Sequence, residues 1–246
     1  ISIININYKI LIMSDGFETY DYPICYSFGH PINVQHININ IGNIFNCNDM
    51  TNKQRVIITS DLHAKAPECF DILNDYDLLT DSIVICAGDM SGCGKKGDDA
   101  DSVPLYKSIL NKADKLYFVQ GNHDLYNPEE ETLKNTDDTF CLLNENNIVN
   151  TFMGNICGYS GIIATHHNKN VHKYDSDEYN NAIKNILKND VDILVTHDTP
   201  RHINCNYEHV GCHIFGHCHL RNAFYRKGET IFINAIQGLL YLIFNV

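Results

Sequence analysis

The chain has 246 residues, 44% of them hydrophobic and 20% charged, the balance of an ordinary folded protein with material for one large domain or two small ones. Its net charge of −12, from 18 basic and 30 acidic residues, disfavours binding along a long nucleic acid, which relies on Lys and Arg to release counterions. No apolar run is long enough to span a bilayer, and no basic-then-apolar signal opens the sequence, whose first residue is not Met. The 10 cysteines therefore read as small core thiols of a reducing, cytoplasmic protein rather than as a disulfide framework.

Residues 1–54 are rich in Ile and Asn, with strand-like runs at 3–12 and 34–41 and turn signals at Asp15-Gly16 and Tyr22-Pro23. They are expected to form a strand-rich extension packed on a main domain of residues 55–246, with no chemistry of its own. Val56-Ile57-Ile58 is a short β-rich apolar run, read as a buried strand that stops at Asp61-Leu62-His63. A helix over 67–76 follows, with Pro67 near its start. Ser82 to Ala87 is a second buried strand, ending at Gly88-Asp89-Met90-Ser91-Gly92, and a Gly- and Asp-rich loop runs on to Asp101. A helix around Leu105 to Ala113 leads to a third strand, Leu116 to Val119, which ends at Gly121-Asn122-His123-Asp124. Short strands are expected at 147–151 and 155–163, then an amphipathic helix from Tyr174 to Lys188. Asp192 to Val195 and Cys212 to Phe215 are two more strands, ending at Thr196-His197 and at Gly216-His217-Cys218-His219. A hairpin over 223–226 and 230–234 and a strand over 240–245 close the chain. Alternating strands and helices point to an α/β fold with a partly parallel sheet, in which ligands bind beyond the carboxyl ends of the strands.

Five of those ends carry groups able to hold a metal: Asp61 and His63, Asp89, Asn122 and His123, His197, and His217 with His219. In an extended segment residues two apart share a face, so Asp61 and His63 present an oxygen and a nitrogen donor to one point. Singly each has a plain structural role open to it, as a turn residue or a hydrogen-bonded core imidazole. Five such coincidences at strand ends argue for one centre. Cys205, His209, Cys212, His213 and Cys218 are a second, weaker grouping, because their spacing fits no standard zinc module.

Asp61-x-His63, Gly88-Asp89-x-x-Gly92, Gly121-Asn122-His123-Asp124, Thr196-His197 and Gly216-His217-x-His219 together resemble, in order, the signature of the calcineurin-like metallophosphoesterases. Residues 192–200 and 210–235 are most similar to the small branch containing the brain cyclic-nucleotide phosphodiesterase-like proteins. The resemblance implies a four-layer α/β/β/α sandwich of two mixed sheets with the metal site at the strand C-terminal ends. It implies two divalent metal ions (Mn, Fe, Zn or Ni), one held by Asp61, His63 and His219, the other by Asn122, His197 and His217, with Asp89 bridging. A metal-bridging hydroxide would attack phosphorus, and His123 would face the substrate as hydrogen-bond donor or acid. Asn122, Arg201, His202 and Arg221 are further candidates for contact with the substrate.

Departures narrow the expectation. Met90-Ser91-Gly92 stands where the phosphoprotein phosphatases carry an acidic residue and an Arg, which argues against a protein phosphatase. Asp61 stands where lariat-debranching enzymes have Cys, and the Tyr ligand of purple acid phosphatases has no counterpart after Asp89. The expected activity is hydrolysis of a small phosphodiester, a cyclic nucleotide or short oligonucleotide. A phosphomonoesterase on a nucleotide or small metabolite, a nuclease, and a non-catalytic scaffold like the retromer subunit of this fold are the alternatives.

Overall fold

The structure is a computed structural model that describes residues 18–21, 25–27, 30–39, 54–75, 77–92, 100–125, 139–164, 172–207, 209–218, 224–235 and 238–244. The strand expected at 3–12 and most of the Gly- and Asp-rich loop lie outside them. In chain order the strands begin with β1 (Glu18–Asp21), β2 (Cys25–Ser27), β3 (His30–Ile39), β4 (Gln54–Thr59), β5 (Ser82–Cys86) and β6 (Ala100–Asp101). They continue with β7 (Lys115–Phe118), β8 (Asp124–Leu125), β9 (Phe140–Leu142), β10 (Val149–Thr151), β11 (Gly154–Tyr159) and β12 (Ile162–Ile163). The last are β13 (Lys173–Tyr174), β14 (Ile193–Thr196), β15 (Cys212–Phe215), β16 (Phe224–Lys227), β17 (Thr230–Asn234) and β18 (Gly238–Phe244). The helices are α1 (Ala66–Asp75), α2 (Val103–Leu110) and α3 (Ser176–Ile186).

Two larger sheets carry the α/β fold. In the first the order is β1-β3-β18-β4-β5-β7-β9, with β2 also on β3; in the second it is β10-β11-β14-β15-β17-β16. Strands β4, β5, β7 and β9 are mutually parallel, as are β11, β14, β15 and β17. Such strands are covered on both faces, which is why β5 is buried at every position and why its sequence, Ser82 to Cys86, runs apolar instead of alternating. The described residues before 54 join the first sheet through β3, which pairs in parallel with β18, while β18 pairs antiparallel with β4.

Alternation along the strands sorts side chains between three apolar cores. Val56, Ile58, Ile83, Ile85 and Tyr117 of the first sheet share a core with Ile156, Ile193, Val195, Cys212 and Ile214 of the second. Their neighbours Ile57, Val84, Cys86 and Phe118 face the other way, onto Cys69, Phe70 and Leu73 of α1 and Tyr106 and Ile109 of α2. Cys157 and Leu194 pack on Tyr179, Ile183 and Ile186 of α3. Helix α3 starts where Asp175 caps it, accepting the N–H of Glu178 at 2.8 Å, two residues later than the apolar pattern suggests. The run expected over 155–163 is interrupted at Gly161, so its end forms a separate short strand, β12, against β13. With the strands parallel, the polar segments after β4, β5, β7, β14 and β15 follow carboxyl ends of strands.

Candidate metal centre

Each ligand-capable side chain sits one to four residues beyond a buried strand, where the chain turns sharply. Asp61, His63, Asp89 and His217 all have φ between 50° and 60°, in the left-handed region that non-glycine residues seldom adopt. Four such residues around one point are strain that surrounding structure must hold in place, a common property of functional sites. Gly88 (φ 98°) and Gly121 supply the room. A Cβ on Gly88 would lie 2.6 Å from the Gly121 nitrogen and from His197 Nδ1, and one on Gly121 would run into the Asp89 carboxylate. The two motifs are thus packed backbone to backbone.

Two sets of donors converge. Atoms of Asp61, His63 and Asp89 lie within 4.8 Å of one another, and so do atoms of Asp89, His197 and His217. Asp89 belongs to both. Asn122 is buried and its Oδ1 has no hydrogen-bond partner, a cost that ligation of a cation would remove. Buried carboxylate and amide oxygens with imidazole nitrogens are a donor set that fits divalent transition metals. The imidazoles are pre-oriented: His197 Nδ1 donates to the Ala87 carbonyl at 2.7 Å, and His63 Nδ1 to the Ser91 carbonyl at 3.2 Å. In each case Nε2 is left as the ligating nitrogen.

The electrostatics are those of a cation-seeking cluster. Burial pushes the Asp61 carboxyl up against the pull of His197, and the Asp89 carboxylate adds to the rise. Burial would raise Asp89 as well, but His197, 3.2 Å away, holds that carboxyl far below its ordinary range. For His197 burial opposes the proton, yet Asp89 overrides it and lifts the imidazole to about 10. Burial and then the His197 charge push His217 down to about 4.

Asp124 is the residue whose role sequence reasoning left open between orienting a neighbour and shaping a turn. It is 1% exposed and accepts the N–H groups of Asp89, Met90, Ser91 and Gly121 at 2.7–3.1 Å, together with the hydroxyls of Ser91 and Ser102. One carboxylate thereby clamps the loops after β5 and β7. Asp61 is held similarly, by the Ser60 hydroxyl and the His217 N–H. The His123 N–H donates to Asp89 Oδ1 at 2.8 Å, and its ring lies 5.6 Å from that of His63.

Not every expected residue is brought in. His219 and Arg221 lie outside the described residues. Arg201 is exposed and has Tyr225 as an electrostatic neighbour. The Cys205–Cys218 grouping yields no donor cluster among the described residues. Within it His213 is fully buried, pushed down to about 3 by burial, with Nε2 against the Thr196 hydroxyl at 2.8 Å. It is a core imidazole.

The sequence matches the model of the calcineurin-like phosphoesterase family over residues 54–221, a span that contains every donor above. The chain belongs to the calcineurin-like phosphoesterase family. Among curated proteins no relative matches. Solved structures similar to this family member include a predicted phosphoesterase from Streptococcus pneumoniae TIGR4, at 18% identity and TM-score 0.33, covering 75% of this chain and 72% of that one. Another is the phosphopantetheinyl hydrolase of Mycobacterium tuberculosis, at 11% identity and TM-score 0.41, covering 76% and 90%. A third, a protein of unknown function from Aquifex aeolicus, has 18% identity and TM-score 0.37, covering 76% and 95%. No helix among the described residues is long and apolar enough to cross a membrane.

Proposed function

We propose that the chain is a dinuclear metal-dependent phosphoesterase that hydrolyses small phosphodiesters. The observation that carries this reading is the membership of Asp89 in both donor sets, which suits a carboxylate shared by two cations. Asp61, His63 and His219 would hold one ion and Asn122, His197 and His217 the other. Bound there, two divalent cations would polarise the phosphoryl oxygens and supply a nucleophile from water near neutral pH.

The chain's own residues then have distinct tasks. Asp89 sets the spacing of the two positions, and the Asp124 clamp keeps its backbone in the strained conformation this requires. His123, on the His63 side and tied to Asp89 through its N–H, would donate a proton or hydrogen bond to a phosphoryl or leaving-group oxygen. The backbone carbonyls of Ala87 and Ser91 keep the imidazoles in the ligating tautomer. The preference for a diester is supported by the segment Gly88 to Gly92, which has no cationic side chain to neutralise the second charge of a monoester. The acidic chain suits a cyclic nucleotide or short oligonucleotide better than a long polymer, and the metals expected are Mn, Fe, Zn or Ni.

The test compares a bis-aryl phosphodiester with the matching aryl monoester, with added Mn²⁺ and with a chelator. The expected result is a higher kcat/KM on the diester, abolished by chelation. Faster turnover of the monoester would move the assignment to a phosphomonoesterase. Turnover of neither, in protein that takes up no metal, would point to a non-catalytic scaffold.

A further inference from the structure

Asp198 follows His197 but belongs to neither donor set, and yet its carboxylate is fully buried. A buried charge needs donors, and this one has three. Oδ2 accepts the Ile163 N–H at 2.8 Å; Oδ1 accepts the Thr199 N–H at 2.7 Å and His202 Nδ1 at 2.8 Å. The first ties the segment after β11 to the turn after β14. The turn itself is closed by the His202 N–H on the Thr199 carbonyl at 3.0 Å, so both backbone and ring of His202 are fixed.

The two partners differ sharply in exposure: the Asp198 side chain is 0% exposed and the His202 side chain 49%. An imidazole on an open turn would ordinarily sample several rotamers. Here a buried carboxylate holds Nδ1 while Nε2, which makes no hydrogen bond among the described residues, remains available. The ring is also within electrostatic range of His217, a member of the second donor set. His202 is on the turn that starts at His197, whose ring lies 5.2 Å from that of His217. Closing a surface turn does not require a buried carboxylate that also fixes the orientation of an exposed ring. Holding a hydrogen-bond donor ready for an anion at the rim does.

We propose that His202 is a substrate-contacting residue, its imidazole oriented by the positioning residue Asp198 to donate Nε2–H to a phosphoryl oxygen of the ester on the His217 side of the centre. The inference rests on the phosphoesterase reading above and adds to it the group that grips the phosphoryl oxygens. With Nδ1 held by the carboxylate, Nε2 is the ring atom free to meet the ester, and a hydrogen bond from it to an anionic phosphoryl oxygen is charge-assisted.

The experiment uses the metal-loaded chain with His202→Ala, His202→Gln and Asp198→Asn, the bis-aryl phosphodiester as substrate and elemental analysis of each protein. His202→Ala is expected to keep the metal content of the parent and to lose about 10-fold or more in kcat/KM, the worth of a hydrogen bond to a charged group. His202→Gln, which retains an N–H donor, is expected to recover part of that loss. Asp198→Asn is expected to lower kcat/KM with no further effect on a His202→Ala background, as required of a residue that acts through His202. In Zn²⁺-loaded, ¹⁵N-histidine-labelled protein, inorganic phosphate is expected to shift the His202 ring signals, which are assigned by their absence in His202→Ala. A His202→Ala protein within about twofold of an active parent would overturn the inference and leave the phosphoesterase reading standing. Ring signals unmoved by phosphate would overturn it likewise. A parent that takes up no metal and turns over nothing would overturn both.

Discussion

At the scale of single residues, the centre depends on backbone that would not hold its shape unaided. Asp124 receives four N–H groups and the Ser91 hydroxyl from the loops that carry Asp89 and Asn122, and the hydroxyl of Ser102 at the start of α2. Removing its carboxylate in Asp124→Ala leaves those buried donors unsatisfied, at an expected cost of about 3–5 kcal/mol. Chemical denaturation measures the cost, and metal titration is expected to show weaker uptake in the folded variant. His213 offers a pH test away from the centre. It titrates at about 3 in the folded protein because burial disfavours its charged form. Unfolded, it titrates near the ordinary value of about 6.5. The unfolded state therefore binds the proton first, and stability is lost as pH falls from about 6.5 toward 3, by about 1.4 kcal/mol per unit. Urea midpoints at pH 7 and pH 5 are expected to differ less in His213→Phe than in the parent.

At the scale of elements, what was legible from residues alone followed local pattern. Val56-Ile57-Ile58, Ser82 to Ala87 and Leu116 to Val119 announce buried strands, and the polar groups directly after them announce a site, because in parallel sheets those positions meet. Asp198–His202 and the Asp124 clamp were not legible as contacts. Their hydrogen bonds depend on how separate loops come together, and a carboxylate after a strand looks alike whether it ligates, clamps or orients. The insertion of β18 between β3 and β4 was equally hidden, since pairing between strands this distant in sequence leaves no periodic trace. Helix α3 starts late for a local reason, the Asp175 cap, that sequence could have revealed through Glu178 three residues on. The β18 insertion carries its own prediction. Leu242 is paired with Val56 on one side and Ile37 on the other, so Leu242→Pro removes ladder hydrogen bonds inside a sheet. A loss of about 3 kcal/mol or more is expected, read as a lower thermal midpoint.

For the whole molecule, two sheets meeting over a common core bring donors from the loops after four strands to one place, and no single segment holds a complete donor set. Asp61 and His63 come from the loop after β4, Asp89 from that after β5, His197 and His217 from those after β14 and β15. A metal bound across both sheets would join them, so its removal by chelation is expected to lower the thermal midpoint of the entire chain. Asp89 is the joint on which this account turns, and the most direct measurement is the metal content of metal-loaded parent and Asp89→Ala protein by elemental analysis, with diester turnover read on the same samples. About two divalent ions per chain are expected in the parent and at most about one in the variant, with turnover lost along with the shared carboxylate. An Asp89→Ala protein that keeps both its full metal content and its turnover would contradict that expectation.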